Sequence, residues 1–378
     1  MVGSRSFMLL AALLSLATAA NPAPVEMRGL WVVRTGLVSP EAVDRAVDDA
    51  ARAGFNALFA QVRGRCDAFY PSALSPRGAL LAGQPAAFDP LARLVRRAHA
   101  RGLQVHAWVN VLLCAPFGQA LPEGHVLRRH PGFAMRARSS APAEAEGHYR
   151  SPSAPGVPGH LEAVVRELLR GYDVDGLHLD YIRYPGPDYD YSATAVEGFA
   201  RERRAAGEAP VPPALAPHAW AAYRRRAVTA LASRLARAAR EERPGITVSA
   251  AVVPDEAQAV HHKYQDWPAW IERGIVDAVS PMAYSADARV FRRQTEAVLA
   301  RAGRKGAVWA GIGAYRLSLA GMAGHVREAR AAGASGVVLF SHEWLLPSDA
   351  RELRAAFGLR APVARPGSGA VPGGTRRR

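Results

Sequence analysis

The sequence predicts an α/β protein folded as a (β/α)8 TIM barrel, a single domain with long βα loops. Three observations carry this expectation. Short runs rich in β-branched and aromatic residues alternate with alanine-rich helical stretches, the pattern of parallel strands joined by helical crossovers. Eight such units can be counted, the number that closes a barrel. No Gly-rich dinucleotide fingerprint follows the first run, which reads Arg28-Gly29-Leu30-Trp31, so an open doubly wound sheet lacks its usual sign.

The strands are expected, in order, at Arg28–Arg34, Asn56–Arg63, Gln104–Asn110, Asp175–Ile182, Ile246–Val253, Val276–Ala283, Ala307–Ala314 and Ser335–His342. The first helix should run from Pro40 to Ala53, with Ser39 as N-cap and Gly54 as stop. Asp89-Pro90 opens the second, which ends at Gly102. Further helices are expected at His160–Gly171, Ala219–Glu242, Trp267–Gly274, Phe291–Gly303, Leu319–Gly333 and Asp349–Phe357. Two strand-to-helix segments are long, Cys114–Gly159 and Pro185–Pro217. Barrels build their active face from such loops, so a groove for an extended substrate is expected there.

Residues 1–20 read as a secretory signal. Arg5 is followed by an apolar run, Phe7 to Ala17, and by the A-x-A-like site Ala17-Thr18-Ala19. The run is shorter than the roughly 20 residues a membrane-spanning helix needs. The mature chain should therefore be periplasmic or extracellular, with the barrel over 25–360 and a disordered basic tail over 361–378.

The net charge is +15, much of it arginine along helical stretches such as Arg224-Arg225-Arg226. No zinc-finger spacing or aromatic RNA motif accompanies it, which argues against nucleic acid as a partner. A basic surface would favour electrostatic association with an anionic cell envelope. A monomer is expected. Export would place Cys66 and Cys114 in an oxidising compartment, where a disulfide is allowed, but sequence does not decide whether they pair.

The fourth strand is the most informative. Gly176, His178 and Asp180 share one face. Asp180 lies at the C-terminal end, where barrel catalytic groups project, and Tyr181-Ile182-Arg183-Tyr184 follows at once. Arg183 should lower the Asp180 pKa and keep it ionised. The alternative is a structural ion pair at a strand end.

The runs DGLHLDYIRYP (Asp175–Pro185), RGLWV (Arg28–Val32), QVRGRCDAFYPS (Gln61–Ser72), HAWVN (His106–Asn110) and VSPMAY (Val279–Tyr284) fall in order at strand ends. Together they resemble the glycosyl hydrolase-like family ten domain, a group of exported bacterial barrels, over about Arg28 to Leu346. The resemblance implies action on glycans, with peptidoglycan-type strands as the expected substrate class. It is incomplete. Many relatives carry two adjacent acids where this chain has Asp180-Tyr181. The chitinase signature D-G-x-D-x-D-x-E is matched at Asp175 and Asp180, but His178 and Ile182 replace its middle Asp and its proton-donating Glu.

Glycoside cleavage generally uses two carboxyl groups. Glu343 after the eighth strand and Asp255 after the fifth are the leading candidates to partner Asp180, each with the alternative of a cap or loop charge. Asp188, Asp190, Glu256 and Asp287 also stand at the correct barrel end. Substrate assistance by an N-acetyl group would remove the need for a protein nucleophile. Substrate contacts are expected from Arg28, Gln61, Arg63, Trp108, Asn110, His178, Arg183, Tyr184 and Tyr284. No cofactor and no metal are expected. His106 and His178 on neighbouring strands suggest a metal-dependent deacetylase or amidase only weakly, because the first strand lacks H-x-H. The other rival is a catalytically silent glycan-binding barrel, supported by the missing second acid beside Asp180.

Overall fold

The computed structural model describes residues 26–139 and 146–359. The expected signal segment and basic tail lie outside the described residues. Eight strands close into a barrel: β1 Met27–Val32, β2 Ala57–Arg63, β3 Gln104–Asn110, β4 Gly176–Asp180, β5 Thr247–Val252, β6 Ala278–Pro281, β7 Ala307–Gly313 and β8 Gly336–Phe340. Every neighbouring pair is parallel, and β8 returns to pair with β1.

Alternation along each strand makes two cores. Leu30, Leu58, Val105, Leu177, Val248, Val308 and Leu339 point outward and are sealed by the helices. Trp31, Phe59, Trp108, Trp309 and Val338 point inward and fill the barrel. The filling is close-packed. The His106 ring stacks on Phe59 with centroids 4.5 Å apart. A Cβ at Gly176 would lie 2.1 Å from His106 Nδ1, so only glycine permits that histidine on the next strand. This aromatic plug is the floor of the cleft described below.

The first two helices begin where their caps predict. Ser39 accepts from the Ala42 N–H and Asp89 from the Ala92 N–H, each before a helix-opening proline. Gly54 ends the first helix in the left-handed conformation, φ +85°. The two long βα segments carry structure that the sequence did not announce. Leu113–Ala115 pairs antiparallel with His148–Tyr149, and a helix spans Ala193–Ala205 behind its Ser192 cap. Cys66 and Cys114 form a disulfide, Cα atoms 4.9 Å apart, tying the exits of β2 and β3 together. Among the described residues no helix is long and apolar enough to cross a membrane.

Candidate active site

A cleft of about 330 Å³ opens at the C-terminal ends of the strands. Its wall includes Trp31, Arg34, Gln61, Arg65, Trp108, Asn110, Asp180, Tyr181, Arg183, Tyr284 and Phe340. These come from β1, β2, β3, β4, β8 and the segments that follow β1, β2, β4 and β6. Strand parity explains the core of the set, since Trp108 and Asn110 share the inward face of β3 and pair in register with His178 and Asp180.

Asp180 is 6% exposed and, among the described residues, is the one carboxylate lining the cleft. Its Oδ2 accepts from Trp108 Nε1 at 3.1 Å. Its Oδ1 accepts from the Tyr181 backbone N–H at 2.6 Å and from Arg183 Nη1 at 3.3 Å. The turn that permits this runs through Tyr181, whose φ of +49° is left-handed. A bulky residue held there is strained, and such strain concentrates at functional sites. The turn brings Arg183 back over the Tyr181 ring, 4.4 Å from its centroid.

Arg183 does stabilise the carboxylate, as expected, but it does not set the net result. Burial raises the Asp180 pKa, and this outweighs Arg183, the Tyr181 N–H and Trp108, which all pull it down. The acid is thus held above the ordinary aspartate range. The partly buried Tyr284 lines the same cleft, and burial holds its hydroxyl pKa well above normal, so the hydroxyl keeps its proton. Tyr284 stacks on Phe340 at 5.5 Å, and Trp31 lies edge-on to Tyr284 at 6.4 Å. Gln61 and Asn110 add amides, with Gln61 accepting from Arg34 and Asn110 donating to the Gly64 carbonyl at 2.9 Å.

Several expected site residues lie elsewhere. Arg28 is at the start of β1, the opposite end of the barrel, where its Nε donates to the Gly54 carbonyl. Arg63 does not follow Gln61 into the cleft. A register shift between Gln61 and Arg63 turns it away, and it is fully buried with Nη1 on Ser75 Oγ at 2.8 Å. His178 belongs to the plug. It accepts from Trp31 Nε1 at 3.3 Å and bonds Ser249 Oγ at 2.9 Å, and burial lowers its pKa to about 3. His106 is likewise lowered by burial, to about 4. Tyr184 is fully buried, edge-on to Tyr264 at 5.3 Å.

Neither leading partner acid meets Asp180. Glu343 lies in an adjoining cavity, beyond Val33, accepting from Thr35 Oγ1 and Ser341 Oγ at 3.3 Å each. Asp255 is exposed and accepts from the Gln258 N–H at 2.7 Å, a capping role. Asp287 caps the helix Ala288–Ala302, Glu256 pairs with Arg301, Asp188 pairs with Arg138, and Asp190 is buried on the Arg136 and Ser192 N–H groups. Asp175 is at the far end of β4, bonded to the Val105 N–H and to His99. Glu146, which the sequence did not single out, accepts from Tyr149 Oη at 2.5 Å near Arg183. It comes near Arg183, without lining the cleft, where the Leu113–Tyr149 strand pairing joins residues far apart in the chain. Arg34, Arg65, Trp31, Tyr181 and Phe340 were also not singled out.

Among the described residues, the one group with metal-ligand geometry is Cys66, Cys114 and His125, within 4.8 Å of one another. The two sulfurs there are bonded to each other, and His125 Nε2 sits 3.1 Å from the Arg65 and Cys114 carbonyls.

A family model described as Glycosyl hydrolase-like 10 matches residues 26–307. Glycosyl hydrolase YngK of Bacillus subtilis (strain 168) is 29% identical over 178 residues, covering 42% of this chain and 34% of that protein. Glycosyl hydrolase DigH of Escherichia coli (strain K12) is 26% identical over 274 residues, covering 65% of this chain and 58% of that protein. The chain thus spans between a third and three fifths of these relatives' lengths. Among solved structures, the PgaB (BpsB) glycoside hydrolase domain from Bordetella bronchiseptica superposes with a TM-score of 0.69 at 18% identity, covering 88% of this chain and 99% of that one. At that identity the likeness is one of fold.

Proposed function

The chain belongs to the glycosyl hydrolase-like 10 family, and from that premise we propose that it hydrolyses O-glycosidic bonds in a polysaccharide, specifically bacterial cell-wall glycan strands of peptidoglycan type. The observation that carries this reading is Asp180: a buried carboxyl of raised pKa at the end of β4, facing a cleft walled by Trp31, Trp108, Tyr284 and Phe340. Aromatic walls with a few fixed polar groups suit a sugar ring. Export rests on the leader-like residues 1–20, and a net charge of +15 suits an anionic envelope.

Asp180 is the proton donor in this reading. Its proton passes to the glycosidic oxygen as the C–O bond breaks. With no second carboxylate lining the cleft among the described residues, the attacking oxygen in this reading is that of a neighbouring N-acetyl group on the substrate, a route that needs no protein nucleophile. The resulting cyclic intermediate is opened by water, whose proton returns to Asp180. Arg183 and Trp108 hold the carboxylate left between the two steps.

The test is mass analysis of products after incubation with peptide-free peptidoglycan glycans and with chitin oligomers. The wild type should release shorter oligomers, and Asp180→Asn should lower turnover by about 10²–10⁴-fold while retaining affinity. The solitary carboxylate also favours a second reading, a glycan-binding barrel without turnover. That reading holds if the wild type binds these glycans and releases no product.

A further inference from the structure

Among the described residues, the cleft holds three arginines, Arg34, Arg65 and Arg183, against a single lining carboxylate. Asp180 is already engaged by Arg183, Trp108 and the Tyr181 N–H. Arg34 and Arg65, which follow β1 and β2, are not neutralised by it. Arg34 Nη1 reaches only the neutral amide oxygen of Gln61, at 3.2 Å. Its side chain is seated across Gly64, where a Cβ would come within 3.2 Å of Arg34 Cδ and Nη1. Arg65 is fixed at its backbone, where its N–H donates to Asp67 Oδ1 at 2.8 Å and its neighbour Cys66 is locked by the disulfide.

The two nearby carboxylates are occupied otherwise. Asp67 caps the Arg65 backbone, and Glu343 is held by Thr35 and Ser341 outside the cleft. Arg34 and Arg65 are thus two partly buried like charges in one cavity with no carboxylate bonded to either among the described residues. Burial and then the Arg65 charge both disfavour the Arg34 cation. An arrangement that costs free energy when empty is relieved by a bound anion, and planar guanidinium forks match a carboxylate in two-point fashion.

We propose that Arg34 and Arg65 form a subsite for a carboxylate carried by a sugar of the glycan. This rests on the reading of the cleft as a glycan site. It narrows the substrate from glycans in general to acidic ones, in which a ring bears a free carboxylate through an ether-linked acid or a uronic acid. Neutral chitin-type chains lack the group the two arginines are placed to hold.

The experiment is calorimetric binding and, separately, product analysis. Four probes are used: peptide-free peptidoglycan glycans, the same glycans with carboxylates reduced to alcohols, a uronate oligomer, and a chitin oligomer. A charge-assisted contact predicts that carboxyl reduction weakens wild-type binding about tenfold or more. Arg34→Gln and Arg65→Gln should bring the ratio of affinities for native and reduced glycan toward one. The uronate arm tells which source of carboxylate fits. Equal wild-type affinity for native and reduced glycans overturns the subsite, as does a ratio that survives in both variants with unchanged thermal midpoints. Discrimination in binding without product release removes the hydrolase reading and leaves the subsite standing. Cleavage of chitin and reduced glycan as readily as the acidic glycan does the reverse.

Discussion

The indole Nε1 of Trp108 donates to Asp180 Oδ2 across adjacent strands at 3.1 Å. The pairing Trp108–His178 and Asn110–Asp180 places a β3 side chain of even parity over the acid at the end of β4. A donor aimed at a carboxylate stabilises its ionised form, so this contact restrains a pKa that burial pushes upward.

Trp108→Phe keeps the ring and removes the donor. The Asp180 pKa should rise further. If Asp180 must be protonated to act, kcat/KM falls as pH rises through that pKa, so the alkaline limb should move to higher pH by about one to two units. A pH–rate profile decides, and an unmoved or lowered limb would sink the general-acid role.

Asp180 also links stability to pH. Burial raises its folded pKa above 3.8, so between 3.8 and the raised value the folded chain holds more protons than the unfolded one. Its contribution to stability is therefore lost as pH rises through that window. Asp180→Asn lacks this titration. Denaturant unfolding across the window should show the variant gaining on the wild type as pH increases. The opposite trend would mean that the Arg183 pairing dominates burial.

His178 joins Trp31 Nε1 to Ser249 Oγ in the plug. His178→Phe leaves both partners buried and unsatisfied, at a cost of about 2–4 kcal/mol. The thermal midpoint should fall while KM for glycan changes little. A raised KM at unchanged stability would return His178 to the substrate site.

Glu343 is separated from the cleft by Val33. Glu343→Gln should leave turnover within a few-fold of wild type. A proton donor lost at this position would instead cost about 10²–10⁴-fold, and kinetics on the purified variant distinguishes the two.

Each cysteine of the Cys66–Cys114 bridge is immediately preceded by a cleft residue, since Arg65 and Leu113 both line the wall. Replacing both cysteines by serine should cost about 2–4 kcal/mol. It should also raise KM, because two loop exits lose their tie. An unchanged KM in calorimetry-matched, folded protein would show that the loops hold themselves.

The alternation of strands and helices was legible because each element writes its own period into neighbouring residues. Ser39, Gly54 and Asp89 mark helix ends within four residues of chain, and each acts as its type dictates. The same locality made Asp180, Trp108 and Asn110 readable as inward residues at strand ends. Arg63 was misread because one irregularity in β2 reverses which way a side chain points, and no residue type announces it. Arg28 was misplaced because strand direction within the barrel, and not the residue itself, decides which end it occupies.

Sequence alone determined the eight-unit barrel and the strand that bears the acid. Those follow from short-range patterning and from the backbone freedom of a few residues. Only the tertiary structure decided that Glu343 and Asp255 stay apart from Asp180, that Arg34 and Arg65 converge on its cleft, and that burial outweighs Arg183 in setting its proton affinity. Convergence depends on register and loop paths joining residues far apart in the chain, and proton affinity depends on how much water that convergence excludes.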